Sequence, residues 1–223
     1  MNDALTSSPH AHVLMLGAGR GSAEAIDLLP HTSECVVLDD RFPQATSLEG
    51  MPVVGTIDDV TAHMFVRGVR RALLSGIANA RVRGVRNLIV ARVRALGVPD
   101  DAWTTFVHPS STISKRAHIG RGALVYPGVQ LALHAHVHDH AVVYFNSVVH
   151  HDSVVGTGAI LCAGVLVAGN VTIGAGAYLG IGSVVRDGVT IGENALIGMG
   201  AVVTRDVPAG AVVKGVPARA TAP

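Results

Sequence analysis

Eight of the protein's 12 histidines lie between residues 108 and 151: His108, His118, His134, His136, His138, His140, His150 and His151. One of them, His151, is followed directly by Asp152. An imidazole beside a carboxylate suits general base work, because the acid orients the ring and favours its imidazolium form. Closely spaced histidines are also zinc ligands. In H-A-H-V-H-D-H (134–140), however, alternation splits the side chains between directions, so a three-ligand site would have to be completed between the subunits of a trimer. The competing reading of HVHDH (136–140) and VVHHD (148–152) is plain solvated surface. Early in the chain, the turn GAGRGS (17–22) precedes a candidate helix. Backbone N–H groups in such a turn hold phosphate, and Arg20 can pair with a diphosphate. The motif is short and also serves dinucleotides. The acidic pair Asp39–Asp40 ends an aliphatic run, and its alternative reading is a strand-end turn.

These groups sit in a chain of 223 residues with 17 Lys+Arg against 16 Asp+Glu, a balance that calls for neither nucleic acid nor an anionic membrane as partner. Charged residues make up 15% and hydrophobic ones 49%, which excludes disorder for most of the chain. Aromatics are only 4%, while the 26 glycines amount to about 12% against a usual ~7%. Small aliphatics with few rings point to a thin, regular structure. No apolar run approaches the ~20 residues of a bilayer span. The start MNDALTSSPHAH lacks a basic n-region and an apolar h-region, so no signal peptide is expected and the cytoplasm is the default location. Cys35 and Cys162 form no disulfide framework and no CxxC pair. Cys162 follows an inward Leu and is read as packing.

The chain changes character near residue 107, with nine glycines before it and 17 after. Before it, HVLMLGAG (12–19), ECVVLDD (34–40), MPVVGTIDD (51–59) and ALLSGIAN (72–79) read as strands. Residues 21–29 and 80–97 read as helices, the second with Arg81, Arg83, Arg86, Arg92 and Arg94 on a solvated face. Strands alternating with helices imply a small, Rossmann-like parallel α/β domain. The expected organisation is a flexible stretch 1–11, the α/β domain 12–107, a repeat domain 108–207 and a capping tail 208–223.

The repeat is explicit. Stepping by six from Ile113 to Val203 meets Ile, Leu or Val at all 16 positions, and the position four later is always Ala, Ser or Val. Six residues at ~3.3 Å each make a flat side of about 20 Å. Three sides close an 18-residue triangular coil, with the aliphatic inside and the small residue where the coil turns. Coils stacked at ~4.8 Å pair their backbones and continue the apolar column. The sixteen units give a little over five coils of a parallel β-helix. Residues in the other phases point out or sit at corners, and all eight histidines of 108–151 fall there. An 18-residue step puts His134 beside Asp152 and His151 beside Gly169, so His134, His151, Asp152 and the Gly169–Asn170 backbone share one face.

The segments LGAGRGS (16–22), VVLDD (36–40), SGIANARVR (75–83), VHPSSTIS (107–114), NSVVHHDSVVG (146–156), VAGNVTIGAGAYLGIGSVV (167–185) and KGVPAR (214–219), in this order, carry a further signal. The chain resembles the bacterial sugar acetyltransferases of the sialic acid O-acetyltransferase and UDP-amino-sugar N-acetyltransferase type. The resemblance implies a left-handed coil, an exception to the right-handed crossover rule. It also implies a homotrimer that uses acetyl-CoA as co-substrate, by direct transfer to an amino sugar or sugar hydroxyl linked to a nucleotide. By the same resemblance, His151 is the general base, Asp152 the acid beside it, and Gly169 the residue whose N–H meets the thioester oxygen. Ile160, Ala168, Ile181 and Met199 fall at cofactor-binding positions, with Ile160 where relatives carry a histidine. Gly19, Arg20, Gly21, Asp39, Asp40, His134, Tyr144 and Asn146 fall on the acceptor side. Relatives often have Gly-His-Gly where this chain has Arg20-Gly21-Ser22, and an Asn where it has Tyr144. Two rivals use the same coil: a trimeric zinc lyase of the γ-carbonic anhydrase kind, and a non-catalytic trimer that binds a sugar nucleotide.

Overall fold

The computed structural model describes residues 12–29, 34–42, 47–66, 69–70, 72–77, 82 and 84–221. The expectation for 1–11, and the parts of the strand and helix expectations that fall on 78–81 and 83, lie outside the described residues. Among the described residues the chain divides into two compact units, Met1–Ala78 with Leu88–Thr105 and Asn79–Asn87 with Phe106–Pro223.

The first unit is built on β1 (His12–Leu16), α1 (Arg20–Asp27), β2 (Glu34–Leu38), β3 (Ser47–Leu48) and β4 (Met51–Gly55), followed by α2 (Val60–His63), β5 (Phe65–Val66), β6 (Val69–Arg70) and β7 (Ala72–Ser75). The sheet order is β3-β4-β2-β1-β7. β1, β2, β4 and β7 run parallel, and β3 adds an antiparallel edge. β1 lies inside the sheet between β2 and β7 and includes Val13, Leu14, Met15 and Leu16, all fully buried, as expected for a strand covered on both faces. β2 stops at Leu38 and β4 at Gly55, so the acids of 39–40 and 58–59 lie just past the strands rather than in them. After β4, Asp59 accepts from the Thr56 backbone N–H at 2.8 Å and starts the short helical segment. α3 runs Val85–Ala95.

The second unit is a three-sided parallel β-helix. Two-residue strands recur from Phe106–Val107 to Val202–Val203, each ending on the aliphatic position of the six-residue register. Side one pairs the strands at 106–107, 124–125, 142–143, 160–161, 178–179 and 196–197. Side two pairs those from 112–113 to 202–203, and side three those from 118–119 to 190–191. Among these strands paired residues are 18 apart, as in Ile119↔Val137 and Val149↔Val167. The interior column includes Val125, Val143, Val155, Leu161, Leu179 and Ile197, all wholly buried. The tail does more than end the coil. Val212–Lys214 extends side one in parallel with Leu196–Ile197, and Arg219–Ala220 folds back antiparallel on it. An antiparallel last strand ends the stacking of coils.

The inside–outside rule fails on side one. Leu124, Val142 and Ile160 occupy outward phases yet are buried, and Tyr126 is buried with its ring 4.5 Å from Tyr144 and 5.0 Å from Phe145. Their side chains are apolar or aromatic, so they pack as a second layer instead of meeting solvent. His140 sits at a corner (φ 59°) and is buried there. Its carbonyl accepts from Arg86 Nε, and Arg86 Nη2 reaches the Gly122 carbonyl at 3.5 Å. Arg86 is therefore not on a solvated helix face. It is wholly enclosed, and burial pushes its guanidinium down to about 10.

Leu161 tests the column. Its truncation to Ala is expected to lower the unfolding free energy by about 2–5 kcal/mol through lost burial and a residual cavity. A urea titration reads this as a lower midpoint at unchanged slope; a loss under about 1 kcal/mol would mean the column does not carry the coil's stability.

Candidate active site

The site grows out of how the coil turns its corners. From residue 122 to residue 200 each side ends in a residue with left-handed backbone, and most of these are glycine. On the corner that follows side two, three successive coils instead present His134 (φ 56°), Asp152 (φ 55°) and Asn170 (φ 57°). Asn, Asp and His are the side-chain-bearing residues that enter this region most readily. Backbone bonds stack the three: Asp152 N–H donates to the Leu133 carbonyl at 3.0 Å and Asn170 N–H to the His151 carbonyl at 3.0 Å. Buried Ser153 fastens the next strand, its hydroxyl donating to the Ala168 carbonyl at 2.7 Å and accepting from Val171 N–H at 3.0 Å.

On this frame one carboxylate meets two imidazoles. Asp152 Oδ2 lies 2.9 Å from His151 Nδ1, and Oδ1 lies 3.2 Å from His134 Nδ1. The hydrogen bond from His151, then that from His134, hold the Asp152 carboxyl below its ordinary value. With Nδ1 engaged, Nε2 is the nitrogen of His151 left for chemistry. That end of the ring lies over Gly169: a Cβ at this glycine would stand 2.6 Å from His151 Cε1 and 2.7 Å from Nε2. Among the described residues the Gly169 N–H has no hydrogen-bond partner. The His150 ring stands edge-on to His151 at 4.7 Å. The 18-residue step thus brings together His134, His151, Asp152 and Gly169, with half-buried Ala168 next in the chain.

Other expected site residues lie elsewhere. Ile160 is buried on side one and presents no surface to a cofactor, so that expectation is corrected. Ile181 and Met199 are on the corner that precedes side two, 57% and 76% exposed, at the opposite edge of that side from His151. Asn146 is exposed on the same corner column as Ile181, and Tyr144 is half-buried against Tyr126 just before it. Within one chain neither Tyr144 nor Asn146 joins His134 and Asp152.

In the first unit, Gly17 (φ 92°) leads into α1, whose N-cap is Gly19 and whose first residues are Arg20 and Gly21. The packing there is close: a Cβ on Gly76 would stand 2.4 Å from Ser22 Cα. Asp39 is buried and clamps the turn, accepting from Ala18 N–H at 2.6 Å and from Arg41 N–H at 2.7 Å. Burial alone would raise its carboxyl, but the bonds from Arg41 and Ala18 outweigh that and hold it low. Asp40 accepts from Ile57 N–H at 3.1 Å and pairs with Arg92. Both acids therefore serve the loop's own architecture, which a sequence motif does not reveal. Arg20 remains largely in solvent, 3.3 Å from Glu49.

Among the described residues no three His, Cys, Asp or Glu side chains are arranged to hold a metal. His118, His136 and His138 pack ring against ring, at 4.4 and 4.2 Å, rather than converging on a point. No helix among the described residues is long and apolar enough to cross a membrane.

The bacterial transferase hexapeptide (six repeats) family model matches residues 170–205. No curated protein matches the chain. Solved structures match over nearly the full length. The acetyltransferase domain of PglB from Neisseria gonorrhoeae, in complex with acetyl coenzyme A, is 28% identical with a TM-score of 0.81, covering 95% of this chain and 100% of that one. A perosamine N-acetyltransferase mutant from Caulobacter crescentus, in complex with CoA and GDP-perosamine, is 26% identical with a TM-score of 0.82, covering 96% and 98%. WeeI from Acinetobacter baumannii is 26% identical with a TM-score of 0.67, covering 95% and 100%. Residues 170–205 thus carry the bacterial transferase hexapeptide repeat, and with the coil, the α/β unit and the histidine–carboxylate corner in place the chain is similar over nearly its whole length to hexapeptide-repeat sugar acetyltransferases.

Proposed function

We propose that the protein transfers the acetyl group of acetyl-CoA to the amine of a nucleotide-linked amino sugar, with His151 as general base. The observation that carries this reading is the His151–Asp152 pair lying over Gly169. The acceptor nitrogen attacks the thioester carbonyl while His151 Nε2 takes its proton. The developing oxyanion faces the Gly169 N–H, a donor with no partner among the described residues. When the C–S bond breaks, the thiolate of CoA leaves and takes the proton from the imidazolium, which restores the base. Relatives of nearly the same length bind acetyl coenzyme A, or CoA with GDP-perosamine, which supports both substrates. The Gly17–Ser22 turn, held by Asp39, is the proposed phosphate-binding element.

The active form is a homotrimer. Side two presents Val148, Leu166, Val184 and Val202 outward, and its leading corner presents Ile181 and Met199. A strip of half-buried and exposed apolar side chains, Leu166, Ile181 and Met199 the most exposed, marks an interface on a protein of low aromatic content. In a cyclic trimer one subunit's Ile181–Met199 corner faces a neighbour's His151 corner, so CoA lies between copies and touches Ala168, Ile181 and Met199. The proposed location is the cytoplasm, where acetyl-CoA is available.

Two measurements test the reading. Acetyl-CoA at about 100 times its Kd should stabilise the fold by about 2.7 kcal/mol per site. Thiol release should follow only when a nucleotide-linked amino sugar is added. Absence of acetyl-CoA stabilisation, or stabilisation by zinc instead, would overturn it.

A further inference from the structure

Asp152 has two oxygens, and each is used by a different histidine one coil apart. The terminal torsion of an Asp side chain is soft and two-fold. A single partner would leave the carboxylate free to swing, whereas a second donor on the far oxygen fixes its plane. That second donor, His134, stands at a left-handed corner (φ 56°), a kind of position that glycine fills at eight of the 14 such corners between residues 122 and 200. An imidazole there carries a conformational cost that glycine avoids. Its ring is half exposed, so it adds little to the core.

We propose that His134 is a positioning residue: it holds Oδ1 of Asp152 so that Oδ2 stays on His151 Nδ1 and the reactive Nε2 stays over Gly169. This rests on His151 being the base. His134 acts through Asp152 and does not contact the reacting atoms.

The test uses two variants chosen for the corner's backbone. His134→Gly removes the ring and accepts the left-handed conformation without strain. His134→Asn also tolerates it, and its amide nitrogen sits where the imidazole Nδ1 does. His134→Gly should lower kcat about 10-fold, less than the ~10²-fold that a 1 Å misplacement of a reacting group costs. KM for acetyl-CoA and for the acceptor should stay within about twofold. His134→Asn should recover most of the lost kcat. Three results overturn the proposal: an unchanged kcat in His134→Gly, a rise in acceptor KM at constant kcat, or a His134→Asn enzyme as slow as the glycine variant. His151→Ala run in parallel separates the two readings. Full activity there removes the base itself, whereas an inactive His151→Ala beside a fully active His134→Gly removes only the role given to His134.

Discussion

Replacing His151 with Ala is expected to lower kcat by about 10²–10⁴-fold, the usual contribution of a positioned general base. The magnitude follows from the geometry. Asp152 engages Nδ1 at 2.9 Å, so the proton taken by Nε2 forms an imidazolium that is already paired. Without the ring the acceptor amine must lose its proton to water while attacking. Acetyl-CoA affinity should change little, because the exposed apolar residues proposed to hold the cofactor, Ile181 and Met199, sit on a different corner. Steady-state rates and a calorimetric titration with acetyl-CoA check both halves. A variant with parental kcat would remove His151 from the chemistry. A large loss of acetyl-CoA affinity would make its role one of binding.

Gly169→Ala is the second large effect, and it acts at a distance of one methyl group. Ordinary contact begins near 3.4 Å, so a Cβ placed 2.6 Å from His151 Cε1 drives the ring away by roughly 0.8 Å. Displacement on that scale costs on the order of 10² in rate. The backbone at Gly169 is not left-handed and the obstructing atoms belong to a side chain, so the fold tolerates the change. The unfolding free energy should move by no more than about 1 kcal/mol. Alanine also keeps the backbone N–H, so a loss of rate is charged to the displaced imidazole and not to a missing oxyanion donor. Kinetics beside a denaturation curve separate the loss of rate from any loss of stability. A parental kcat would mean the imidazole works equally well away from Gly169.

The legible parts of this protein were those governed by period. The six-residue register held from Ile113 to Val203, and the 18-residue step placed His134 against Asp152 and His151 against Gly169, because parallel coils repeat their backbone without offset. The alternation of strands and helices likewise led to the parallel order of β1, β2, β4 and β7. Contacts outside any period were not legible. Nothing in the spacing of the arginines distinguishes Arg86, which is enclosed and bonded to the His140 carbonyl, from Arg92 and Arg94, which pair with acids at the surface. Outward phase did not foretell the burial of Ile160 or Tyr126, since phase gives direction and not what packs there. Asp39 read as a ligand-facing acid, and its engagement by Ala18 and Arg41 depends on loop geometry that no pattern encodes.

The interior column of the coil is nearly the same at every level, and so is the backbone around it. It follows that the scaffold holds no information about where along its length the chemistry belongs. That address is written only in the corner letters, and in such an alphabet a whole coil inserted or removed below the site is a translation of the text rather than a change in its meaning. A catalytic group can thus migrate along the axis over evolutionary time by rewriting a handful of outward positions, while the stack that supports it never has to be relearned.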